Sequence, residues 1–104
     1  MNGFQINFYT LQDRKHQNQP VAEWLLEKAQ IMGIRGATVF HAEESFGSDR
    51  HIHATRFFEQ AEQPVMVLMV VTEAEAKSLF DLIQGAGIKI FYTKTAVEFG
   101  VIGE

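Results

Sequence analysis

A chain of 104 residues, 46% apolar and 21% charged, has the size and composition of one folded domain with a single core, expected to span residues 1–104. Its net charge of −4 supplies no electrostatic footprint for nucleic acid, and the absence of cysteine excludes disulfides, thiolate catalysis and cysteine-based metal sites. No apolar run approaches the roughly 20 residues of a membrane span, and Met1–Gln5 lacks the basic start and long apolar core of a secretory signal, so a cytoplasmic protein is expected.

Residues Phe4–Thr10 alternate, with Phe4, Ile6 and Phe8 on one side and Gln5, Asn7 and Tyr9 on the other, which predicts a strand with one strongly apolar face. Leu11–Gln19, carrying Asp13, Arg14, Lys15 and His16, reads as a polar loop. Pro20 suits the first turn of a helix, with Asn18 or Gln19 before it as a cap. Val21, Trp24, Leu25, Lys28 or Ala29, and Met32 recur at helical spacing, while Glu23, Glu27 and Gln30 lie mostly off that stripe. Gly33 is placed to end the helix in the left-handed conformation.

Gly36–Glu43 reads as a second strand, Glu44–Arg50 as a loop, and His51–Phe58 as a short strand returning from it. After Pro64 come seven consecutive apolar residues, Val65–Val71, four of them valine. So short and β-branched a run predicts a strand, and one apolar on both faces needs cover on both. Thr72 and Glu75 form a capping-box pattern, and Ala76, Leu79, Phe80 and Ile83 are the stripe of a second helix ending at Gly85 or Gly87. Ile88–Thr93 is predicted as the fourth main strand. The tail Ala96–Glu104, with Val97, Phe99, Val101 and Ile102, is apolar enough to cover part of a sheet face.

The order strand, helix, strand, then strand, helix, strand predicts an α+β, ferredoxin-like βαββαβ sandwich. Right-handed crossovers place both helices on one face of a four-stranded antiparallel sheet, with the first and third strands central. The opposite face then needs a further cover. A chain this short has little left to supply it, so a homo-oligomer is expected.

Several residues are candidates for chemistry. Gly36 and Thr38 follow a helix end and suit an anion-binding cleft, although they serve equally well as a turn glycine and a strand-forming threonine. His51 and His53 are spaced to face one way on a strand. With His41 and the neighbouring carboxylates Glu43 and Glu44 they make a candidate zinc or copper site, against the plainer reading of polar surface histidines. Arg50 can pair a phosphate or carboxylate, and Phe46, Gly47 and Asp49 are candidates for contact with a partner. No Ser-His-Asp order, paired-carboxylate motif or glycine-rich phosphate cradle is present, so no catalytic activity is expected.

The stretch Gly36-Ala37-Thr38-Val39, then Ser45-Phe46-Gly47, then Ile52-His53 resembles the signature of a small bacterial family, domain of unknown function 190. The loop ending at Pro20 and the Gln63-Pro64-Val65 segment match it in place. The resemblance implies a fold similar to the PII signalling proteins and to CutA, which are homotrimers. In the PII proteins nucleotides bind in the clefts between subunits, and the loop after the second strand contacts partner proteins. Carried onto this chain, the resemblance implies a non-enzymatic trimer that binds a small anionic ligand such as an adenine nucleotide. Gly36, Thr38, Phe46, Gly47, Arg50 and His53 would lie at that site, and the 44–53 loop would meet a partner protein. The alternative is a CutA-like metal-tolerance protein using His41, His51 and His53. An enzyme with a site at the subunit junction is a third reading.

Overall fold

The central strand forms where the valine-rich run predicts it. In the computed structural model, which describes residues 1–42, 44–46, 52–54 and 63–103, β7 (Pro64–Val71) lies in the middle of a four-stranded sheet. Its partners are β1 (Asn2–Leu11), β4 (Ala37–His41) and β8 (Phe91–Glu98), in the order β4-β7-β1-β8 with every pair antiparallel. The two helices, α1 (Val21–Ile31) and α2 (Glu73–Gly85), share one core with the sheet. This is the ferredoxin-like α+β sandwich, with the first and third main strands central.

The core follows from the strand period of two. Ile6 and Phe8 of β1 meet Val65, Val67, Met69 and Val71 of β7, and all are buried against Val21, Leu25 and Ala29 of α1 and Ala76, Leu79 and Ile83 of α2. The rings of Phe8 and Phe80 of α2 meet edge to face, with centroids 6.2 Å apart and planes at 88°. Each fully buried side chain of this class contributes about 1.5–3 kcal/mol.

Both helices end alike. The amides of Gly33 and Ile34 donate to the carbonyls of Gln30 and Ala29, and those of Gly87 and Ile88 donate to Gln84 and Ile83. Gly33 and Gly87 sit at φ +76° and +74°, the left-handed position of a Schellman cap, which costs other residues about 1–2 kcal/mol. The start of α2 is the capping box read from the sequence. The Thr72 amide donates to Glu75 Oε1 at 2.8 Å, and the Glu75 amide donates to Thr72 Oγ1 at 3.2 Å.

Four expectations are corrected. First, the loop before α1 contains a small hairpin, β2 (Lys15–His16) with β3 (Gln19–Pro20). It turns at Gln17 and Asn18, both at positive φ. Because the chain is extended through Pro20, neither Asn18 nor Gln19 caps the helix. Pro20 itself holds the cap position, and the Val21 amide donates to the Arg14 carbonyl. Second, Glu44–Phe46, read as loop, is strand β5, paired with β6 (Ile52–Ala54) in a separate two-stranded ribbon. The remainder of the predicted His51–Phe58 strand lies outside the described residues. Third, β8 starts at Phe91, because Ile88 completes the helix cap and Ile88 and Ile90 pack against the core on the way to the sheet. Fourth, the tail reaches only one end of the sheet's second face, where Val97 pairs with Gly3 and Phe99 comes close to it, and among the described residues it leaves the rest of that face bare. Residues 96–98 belong to β8, Phe99 bonds through its main chain to Met1, and Val101 and Ile102 are exposed. No helix among the described residues is long and apolar enough to cross a membrane.

Candidate functional site

The sheet face away from the helices is built in rows by the strand registers. Phe40, Met66, Tyr9 and Phe91 stand side by side across all four strands. Thr38, Leu68, Asn7 and Thr93 make the next row, and Val70, Gln5 and Thr95 the one after. Phe40, Tyr9 and Phe91 are exposed, and the Tyr9 and Phe91 rings lie 5.7 Å apart. Met66, Leu68 and Val70 are half-buried. The central strand is thus apolar also on the face away from α1 and α2.

The distribution of charge sets this face apart. The only lysine, glutamate and histidine of the four strands are Lys94, Glu98 and His41, paired with Ile6, Asn2 and Val65 respectively. That register puts all three on the helix side. There the Lys94 ammonium lies 4.5 Å from the centre of the Phe4 ring and 5.6 Å from that of Phe80. Among the described residues this bare face carries no charged side chain, in a protein whose net charge is −4.

The sequence-predicted residues fall into three groups. Gly36 lies just before edge strand β4, and Thr38 is exposed on the bare face of that strand. A Cβ added to Gly36 would meet no atom within 4 Å, and the glycine is not at positive φ. Neither crowding nor backbone conformation requires glycine there. Phe46 and His53 belong to the β5–β6 ribbon, in which Ser45 pairs with His53 and Phe46 with Ile52. The ribbon leaves the sheet directly after β4, so the Gly36–Thr38 edge and the ribbon belong to one continuous stretch of chain. Gly47, Asp49, Arg50 and His51 lie outside the described residues, as does Glu43.

Of the metal candidates, His41 is exposed at the end of β4, on the opposite side of the sheet from Thr38. Among the described residues no group of three or more His, Asp or Glu side chains is placed to hold a metal ion. An open depression of about 350 Å³ lies at the far end of the sheet, between the start of β1, the end of β8 and Glu73 of α2. It shares no residue with the Gly36–His53 segment.

Sequence reasoning misses the aromatic row. Alternation puts Tyr9 on the outer face of β1, but that Phe40 and Phe91 flank it follows from pairing registers between strands some 30 to 80 residues apart. Nothing local in the sequence signals such a register.

This chain is similar to several known proteins. It is 30% identical over 81 residues to the UPF0166 protein of Aquifex aeolicus strain VF5, covering 77% of each chain. Among solved structures it resembles CPII, a nitrogen regulatory PII-like protein from Thiomonas intermedia K12 solved with ADP, AMP and bicarbonate. The TM-score is 0.70 at 16% identity, over 97% of this chain and 91% of that one. A candidate PII-like signaling protein from Thermus thermophilus aligns with a TM-score of 0.68 at 14% identity, over 93% and 88% of the two chains. At these identities the structural likeness establishes a PII-like fold. The family model described as DUF190, Uncharacterized ACR, matches residues 3–98, and with it the motif residues of the β4–β6 region, so the chain belongs to the DUF190 family.

Proposed function

We propose that this protein is a non-enzymatic, PII-like ligand-binding or signalling protein, a single domain over residues 1–104 that works in the cytoplasm as a homo-oligomer, with a trimer favoured. A small anionic ligand, an adenine nucleotide first among the candidates, binds between subunits at Gly36, Thr38, Phe46, Gly47, Arg50 and His53. The 44–53 loop meets a partner protein. The observation that carries this reading is the uncharged, partly apolar sheet face beside a glycine that the fold does not need. Such a face is suited to burial against another copy, and Gly36 lets a ligand approach the backbone closely. The fold shared with a protein solved with ADP, AMP and bicarbonate supports the choice of ligand class.

The test is a thermal shift with ADP, AMP and ATP on the wild type and on Gly36→Ala, with light scattering to count subunits. A ligand that binds only the folded state stabilises it by about 2.7 kcal/mol at 100 times its Kd. The expected result is a nucleotide-dependent rise in Tm for an oligomer, reduced in Gly36→Ala while that variant's unliganded Tm stays unchanged. A monomer, or a chain indifferent to every nucleotide tried, overturns the reading. A rise with zinc or copper that disappears in the His51→Ala, His53→Ala double variant would favour the metal-binding alternative.

A further inference from the structure

Near the middle of the bare face stands a group that an isolated subunit leaves unsatisfied. Asn7 belongs to central strand β1, between Leu68 of β7 and Thr93 of β8. Its Nδ2 donates to the Tyr9 hydroxyl over a long 3.5 Å. Its Oδ1 is buried and meets no hydrogen-bond donor among the described residues. A buried acceptor without a donor is costly, and an apolar residue beside Leu68 would avoid that cost. The side chain therefore acts against the stability of the subunit on its own.

We infer that Asn7 sets the alignment of one copy against another: its carboxamide finds its missing donor on a second copy of this chain, docked on the same uncharged face. This rests on the assembly proposed above and names the contact that makes it specific. The occupant follows from charge. A face whose strands present no ionised side chain among the described residues meets a copy of itself without repulsion or stranded charge, whereas a charged partner would lose water and gain no counter-ion there. Apolar contacts among Met66, Leu68 and Val70 are non-directional and allow many alignments. One polar group in such a surface excludes those that leave it unpaired, as a single buried asparagine does in coiled coils. Rotation about the final side-chain bond, which is soft for Asn, turns the oxygen from its own sheet toward the neighbour.

The experiment compares wild type, Asn7→Leu, Asn7→Val and Thr95→Val by native mass spectrometry and analytical ultracentrifugation, with circular dichroism to verify folding. Wild type and Thr95→Val, a neutral polar position of the same face outside the proposed ligand site, are expected to show one stoichiometry. Asn7→Leu and Asn7→Val are expected to fold with an equal or higher Tm and to lose the single stoichiometry, spreading over two or more. If both Asn7 variants keep the single wild-type stoichiometry, the inference is overturned while the assembly stands. If both fail to fold, it is also overturned, because Asn7 is then a structural element of the subunit. A monomeric wild type removes the assembly itself, and the inference with it.

Discussion

The two faces of this sheet are made by the same strands and have opposite chemistry. Toward the helices, Ile6, Phe8, Val67, Met69 and Val71 are completely buried, and the strands' ionisable Lys94, Glu98 and His41 stand at the margins. Away from them, Met66, Leu68 and Val70 are half-covered, Phe40, Tyr9 and Phe91 are exposed, and no charge is present among the described residues. An ordinary solvent-facing sheet alternates apolar with charged or polar residues. Here the central strand is apolar throughout, and the polar positions of its neighbours are filled by neutral Thr, Asn and Gln. The helix face thus holds the subunit together, while the proposed assembly places its contact on the bare face. Substitutions on the two sides should therefore separate folding from assembly.

The greatest loss of stability belongs to the helix face. Phe8→Ala removes a completely buried ring and its edge contact with Phe80, and urea unfolding should show a loss of about 3–5 kcal/mol. Gly3→Ala comes next. Its Cβ would overlap the Val71 carbonyl and come within 3.0 Å of Phe99 Cε1, so the same measurement should show about 1–3 kcal/mol lost. Gly33→Ala and Gly87→Ala place a Cβ at positive φ in two equivalent caps. Each should cost about 1–2 kcal/mol, and a marked inequality in their Tm shifts would break the equivalence of the two halves. Thr72→Ala removes one half of the capping box and should cost about 1 kcal/mol. Phe40→Lys is the mildest change for the fold and the most telling for the two faces. On an exposed edge it should alter unfolding by no more than about 0.5 kcal/mol. It nevertheless puts a charge on the uncharged face, and sedimentation should show the oligomer dissociating. If Phe40→Lys leaves the assembly intact, the bare face is not the contact.

Much of the fold is legible because its signals are local. The alternation in Phe4–Thr10, the valine run before Thr72, the capping box and the glycines after each helix are preferences of a few neighbouring residues, and the structure contains all of them. The errors fall where neighbours compete. Ile88 and Ile90 carry a strand signal, yet the helix cap and the core claim them first, and β8 begins later. Glu44–Phe46 reads as loop because a short ribbon strand is fixed mainly by its pairing partner. Of the candidate site, Gly36 and Thr38 are singled out in the sequence by motif and position. Their relation to the aromatic row, and the placement of His41 on the other side of the sheet, depend on registers set far away in the chain.

Element order, the central place of Pro64–Val71 and the need for cover on both of its faces are written in the local pattern of residues, since side-chain alternation and turn chemistry act within a few positions. Long-range pairing settled the rest: the C-terminal segment joins the sheet edge and Met1, the Lys, Glu and His side chains of the four-stranded sheet all lie on its helix side, and Asn7, set between Leu68 and Thr93, keeps an Oδ1 with no donor among the described residues. Those outcomes depend on which residues of distant strands lie opposite one another. A shift of one residue in any pairing would send each side chain to the other face.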